Sequence, residues 1–120
     1  MIEHVRLSQR AKDQLVMVKR RTGITNWNVL CRWAFCLSLA EPSKPRDEEI
    51  PSDSSVEMTW KTFGGGHHEV YMALLKQRCV SDSISADSNK INRYFKQHLH
   101  RGIGYLFSRK IDISGFLNFL

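Results

Sequence analysis

Cysteine is scarce in this chain. There are three, Cys31, Cys36 and Cys79, an odd count with no Cys-x-x-Cys pair. That pattern excludes a disulfide framework and points to buried free thiols. Cys31 and Cys36 stand in an apolar helical run, where a thiol packs as a small hydrophobe, and their spacing suits a zinc site poorly. His98 and His100 lie two apart, so on a helix they point in different directions, and with Arg101 they read better as part of a basic surface; no metal is expected. Also missing is any run near the roughly 20 apolar residues of a membrane span. The opening Met-Ile-Glu-His-Val-Arg has no basic stretch followed by an apolar segment, so the expectation is a cytoplasmic protein without a membrane partner. Gly64-Gly65-Gly66 runs into His67-His68, without the Gly-Lys-Ser/Thr ending of a P-loop; a tight turn or a close subunit contact is the better reading than a phosphate cradle. No Ser–His–Asp order, paired carboxylates or nuclease-like acid cluster is present. The chain reads as a non-enzymatic protein with no catalytic residues and no cofactor.

Cations are what the sequence has in surplus: 18 Lys and Arg against 12 Asp and Glu, a net charge of +6. The balance favours a polyanionic partner, nucleic acid or an anionic surface. It is also uneven along the chain. Residues 1–40 carry seven Lys/Arg against Glu3 and Asp13. Residues 41–60 reverse sign, with Glu41, Asp47, Glu48, Glu49, Asp53 and Glu57 against two basic residues, Lys44 and Arg46. Residues 89–110 hold six basic residues and no acid.

With 120 residues, one domain over 1–120 is expected, large enough to bury its own core. Its class is all-α or mainly α: a compact helical domain with a short N-terminal strand. His4-Val5-Arg6-Leu7 alternates polar and apolar, as in a half-buried strand with Val5 and Leu7 inward. Ser8 is a fitting N-cap. From Gln9 to Thr22 the pattern is helical, with Ala11, Leu15 and Val18 on one stripe. Gly23 ends it, and Lys19, Arg20 and Arg21 suit the negative end of the helix dipole. Thr25 or Asn26 caps a second helix to about Ala40, apolar on more than one face, which places it in the core or against another subunit. Pro42, Pro45 and Pro51 mark 41–55 as an acidic, mobile surface loop. Val56–Phe63 reads as a short strand or irregular segment. His67–Val80 reads as a helix with Val70 and Leu74 inward, joined by Tyr71 and Leu75. Asp87 or Ser88 starts a last helix, Asn89–Phe107, striped by Ile91, Phe95, Leu99, Ile103 and Leu106; Gly102 and Gly104 leave its end loosely defined. The apolar 108–120 tail docks on the core or on a neighbouring subunit.

Strand, helix, glycine turn and helix follow the order of a ribbon-helix-helix protein, in which strands of two subunits pair and enter the major groove. There His4 and Arg6 would face DNA. The alternative is an N-terminal arm packed on its own domain. Lys12 and Lys19, seven residues apart, share a helix face, with Arg10, Arg20 and Arg21 near the two ends. Phosphate neutralisation needs several cations on one rigid surface. The bland reading is a solvated helix face. The leading candidates are Lys12, Lys19, Arg20 and Arg21; Arg6, Arg10, Lys61, Lys96 and Arg101 are weaker.

Several runs resemble one family in their own right: Val5-Arg6-Leu7-Ser8, then Asp13-Gln14-Leu15, then Lys19-Arg20-Arg21-Thr22-Gly23-Ile24-Thr25-Asn26-Trp27-Asn28, continuing to Cys36. Met58-Thr59-Trp60-Lys61-Thr62-Phe63-Gly64-Gly65 and His98-Leu99-His100-Arg101-Gly102-Ile103-Gly104-Tyr105-Leu106 add to it. Over about Ile2–Phe107 the chain resembles the DndE family of DNA sulfur modification proteins. The resemblance implies an accessory DNA-binding role in bacterial phosphorothioation, where sulfur replaces a non-bridging phosphate oxygen. It also implies a compact, largely helical fold, a homotetramer, a preference for nicked duplex DNA, and the other phosphorothioation proteins as partners. Two other functions stay open: a sequence-specific regulator of the ribbon-helix-helix type, and a pure assembly subunit that touches DNA incidentally.

Overall fold

The computed structural model describes residues 2–109. The apolar tail lies outside them, apart from Ser108 and the backbone of Arg109, and with it the expectation that the tail docks. The elements run β1 (His4–Arg6), α1 (Gln9–Thr22), α2 (Trp27–Ala40), β2 (Glu57–Thr59), α3 (Trp60–Gly64), a 3-10 turn (Gly65–His67), α4 (His68–Ser81) and α5 (Ser88–Arg109). The fold is mainly helical, with one two-stranded sheet.

β1 buries Val5 and turns His4 and Arg6 outward, as the alternation predicts. Its partner is β2 of the same chain, antiparallel, with Val5 opposite Met58. The strand therefore packs on its own domain, and the pairing that a ribbon-helix-helix dimer needs is made internally instead. Ser8 caps α1: its side chain accepts the Ala11 N–H at 3.1 Å. Ala11, Leu15 and Val18 are the buried stripe. Gly23 closes the helix in the left-handed region, φ 77°, where a side chain would be strained.

α2 and α5 form the centre. They lie so close at Gly102 that a Cβ there would sit 1.7 Å from the Ala34 carbonyl oxygen. Glycine at this position sets the helix separation, and α5 continues through it to Arg109. The Ile91–Leu106 stripe faces inward, with Phe95, Leu99, Ile103 and Leu106 buried. Asp87 caps α5, its carboxylate accepting the Asn89 and Lys90 N–H groups. Around Phe35 sit the rings of Phe63, Tyr71 and Phe95, with centroids 5.2–6.4 Å away, and Trp60 packs on Phe63 and Phe95. Val56–Phe63 thus splits into a strand and a short helix that drives Trp60 and Phe63 into the core.

Three expectations need correction. In α4 the inward residues are Met72, Leu75 and Cys79, while Val70 and Leu74 face solvent at 54% and 43% exposure. Val80 is exposed as well. Apolar residues occur on both faces of this helix, and the stripe that meets the core is the one that also carries Arg78 to the end of α2. Second, Cys36 is exposed, unlike Cys31 and Cys79, and its thiol meets the Tyr71 side chain of α4. Third, the 41–55 segment does not hang free. Arg78 donates to the carbonyls of Leu39, Glu41, Pro42 and Ser43. Arg101 donates to Ser38 and Ser43, Lys96 to Ile50 and Ser52, and Arg93 to Asp47 and Glu49.

Candidate nucleic-acid interface

The two flanks of α1 carry different cations. Lys12 and Lys19 are seven residues apart, about two turns, and fall on one edge of the helix. Arg10 and Arg21 lie about 180–200° round from them, on the edge beside α5. Arg20 is about 100° from Lys19 on the outward side. So Lys12 and Lys19 share one edge, Arg10 and Arg21 share the other, and Arg20 lies between them on the outward side, about 100° from both Lys19 and Arg21.

The Lys12–Lys19 edge meets the start of α2 at Trp27. The Lys19 ammonium lies 3.4 Å from the centroid of the indole ring, a cation–π contact that fixes a side chain which would otherwise sample many rotamers. Partial burial lowers the Lys19 pKa from its usual value. Lys12 donates to the Ser55 hydroxyl at 2.8 Å and lines a cleft that also contains Trp27. Arg20 is exposed, with only a weak contact to the Met17 sulfur at 3.8 Å. Arg21 donates to the Phe107 carbonyl at 2.8 Å and stacks toward its ring. Among the described residues, none of these four cations is in an ion pair with a carboxylate.

Among the described residues, no carboxylate of the acidic segment pairs with this edge, although Glu57 lines the same cleft as Lys12. Asp47 and Glu49 pair with Arg93 on α5; the Arg93 bond holds the exposed Asp47 below its usual pKa. Asp53 accepts the Gln9 N–H. Glu57 takes Arg6 at 2.7 Å and lies 3.8 Å from His4. What the segment offers Lys12 is a serine hydroxyl.

The weaker candidates divide. Arg10 and Lys61 are exposed. Arg6 is tied to Glu57, and Lys96 and Arg101 are tied into the 41–55 segment by the bonds given above. Burial lowers the Lys96 pKa. His98 and His100 do not contribute to a basic surface. His98 is fully buried, and burial followed by the nearby Arg78 and Arg101 charges pushes its pKa down to about 4. His100 accepts the Ser8 N–H on Nε2 at 3.1 Å, and burial lowers its pKa too. Both imidazoles are neutral structural groups near neutral pH. Trp27 enters the sequence reading only as part of an apolar second helix, in the core or against another subunit. Its role as the floor under Lys19 depends on the packing of two helices, and no spacing within either one signals it.

No group of three or more His, Cys, Asp or Glu side chains among the described residues could hold a metal ion. No helix among them is long and apolar enough to cross a membrane. Fold and site together define a small, mainly helical protein that presents a strip of cations on a rigid helix edge. The family model for DNA sulphur modification protein DndE matches residues 4–112, and the chain belongs to that family. Among solved structures it resembles DndE from Escherichia coli B7A involved in DNA phosphorothioation modification, with TM-score 0.74, 23% identity, and coverage of 88% of this chain and 98% of that one. It also resembles a glycine-to-lysine mutant of DndE involved in DNA phosphorothioation, with TM-score 0.69, 21% identity, and coverage of 88% and 97%. At these identities the likeness establishes the fold. No curated protein matches the chain.

Proposed function

We propose that this protein is the non-enzymatic, accessory DNA-binding component of a phosphorothioation system, and that it grips the duplex backbone through Lys12, Lys19 and Arg20. The observation that carries the reading is the cationic edge of α1: two lysines and an arginine on one rigid helix, none of them in an ion pair with a carboxylate among the described residues. Cations placed this way release condensed counterions when they meet phosphates, and they position the protein without reading sequence. Arg21 and Arg10, on the opposite edge of α1, and Lys61, on α3, stand outside that three-cation grip. Arg6, Lys96 and Arg101 serve it less, since each is occupied within the fold.

The partners in this reading are duplex DNA, the other phosphorothioation proteins, and further copies of the chain in a cytoplasmic homotetramer. Exposed Val70, Leu74 and Val80 support self-association by leaving α4 with an apolar outer side. Nicked DNA is the favoured substrate because a nick bends at low cost, and a rigid surface of repeated patches gains phosphate contacts only where the DNA bends to meet it. The regulator reading is disfavoured by the internal pairing of β1 with β2.

The test is a salt titration of binding to nicked and intact duplexes of matched sequence, run on several unrelated sequences and repeated with Lys19→Glu. The variant should weaken binding to every sequence alike and reduce the salt slope by about 1. A loss confined to one sequence would point to base readout, and equal affinity for nicked and intact duplex would remove the bending argument.

A further inference from the structure

Beside the cationic edge lies a cleft of about 560 Å³, within the size range of small-ligand sites (about 300–1,000 Å³). It opens between α1, the start of α2 and the segment around β2. Trp27 stands in its wall, half-buried. Lys19 sits over the indole ring and is not among the residues that line the cleft.

The other lining groups offer hydrogen bonds. Asn26 occupies the N-cap position of α2 yet makes no side-chain cap bond, so its amide is not used by the helix. Asn28 spends an amide N–H on the Thr62 carbonyl at 3.3 Å, which leaves its oxygen as an acceptor at the wall. Lys12 supplies a cation and Met58 an apolar surface. One acid, Glu57, also lines the cleft, and its carboxylate is engaged by Arg6 at 2.7 Å.

An indole face, side-chain amides and flanking ammonium groups match a nucleotide: a flat π-face with donors and acceptors on its edge, next to phosphate. Aromatic platforms take any base by stacking, and asparagine amides pair with base edges. Bases inside an intact duplex cannot reach such a cleft, and the cost of extrusion is least where a base is already unpaired. We propose that this cleft takes one unpaired nucleobase of DNA, stacked on Trp27, with Lys12 and Lys19 on the phosphates beside it. The inference rests on the backbone-binding reading above and adds to it a site for a base.

The experiment uses the full chain at low salt with an intact duplex and with duplexes carrying a one-nucleotide gap that faces adenine, each of the other three bases, or an abasic site. The adenine gap should bind roughly tenfold tighter than the abasic gap. Trp27→Ala should erase that ratio, and Trp27→Phe should keep part of it. Losing the Lys19 contact alone would weaken both gapped duplexes equally and leave the ratio unchanged. Asn26→Ala, at an exposed position, should alter the preference among the four bases facing the gap, and thermal melting checks that each variant folds. Equal binding of adenine and abasic gaps, or a ratio that survives Trp27→Ala, overturns the base site while backbone binding stands. If no duplex binds at all, backbone binding falls and takes the base site with it.

Discussion

His98 shows how a single buried side chain writes a pH dependence into the fold. Its Nδ1 is 2.8 Å from the Ser38 hydroxyl, its ring meets Tyr94 edge-on, and its Nε2 is buried with no hydrogen-bond partner among the described residues. A protonated ring there would carry a charge with no water and with Arg78 and Arg101 nearby, which is why its pKa sits at about 4 in place of 6.5. The unfolded chain therefore binds more protons than the folded one between those values, so stability is complete above the unfolded pKa and is lost as pH falls toward the folded one. His100, also lowered by burial, acts in the same direction. At Asp82 burial is outweighed by bonds from Tyr94 and Arg78, which leaves its pKa lowered and its contribution to be lost further down. Urea unfolding should show a loss of about 2 kcal/mol between about pH 7 and pH 5. His98→Asn should flatten most of that slope; a slope unchanged in the variant would mean that His98 is not its source.

At the scale of elements, two glycines of α5 make opposite predictions. At Gly102 a methyl group would meet the Ala34 backbone at 1.7 Å, so Gly102→Ala must push α2 and α5 apart and should cost about 3 kcal/mol. At Gly104 nothing lies within 4 Å, so Gly104→Ala should gain about 1 kcal/mol from helix propensity. Chemical denaturation of the two variants checks the pair, and shifts of the same sign would contradict this packing. Sequence alone shows two glycines in a helix and cannot tell them apart, because the difference lies in a residue 68 positions away, Ala34. The same limit explains the rest. α1 and α5 are legible because each keeps its apolar residues at helical spacing and carries a side-chain cap, and α2 because a long apolar run ends at Pro42. α4 is legible as a helix but not in its orientation, since Val70 and Leu74 compete with Met72, Leu75 and Cys79 for the inner face. In the site, the seven-residue spacing of Lys12 and Lys19 reveals their common edge. The capture of Arg6, Lys96 and Arg101 by partners more than 40 residues away leaves no local trace.

For the whole molecule the question is how many copies of the cationic edge touch one DNA. In the proposed binding mode, Lys12, Lys19 and Arg20 would give a single chain about three phosphate contacts and a salt slope near −3. Between about 50 and 200 mM salt such a chain loses roughly 40-fold in affinity. Two or more copies engaged together would steepen the slope in proportion and would bind far more tightly than one, since the later contacts are intramolecular. In the proposed self-association, the exposed Val70, Leu74 and Val80 of α4 are the contact to test. Binding measured above the assembly concentration should therefore give a slope clearly steeper than −3, relaxing toward about −3 on dilution. Leu74→Lys should produce the low slope at every concentration and a smaller species in sedimentation, with melting little changed because the residue is 43% exposed. A slope near −3 at all concentrations in the unaltered protein would mean that one chain makes the entire contact. Avidity would then have no part in the binding, and the preference for a bendable duplex would lose its cause.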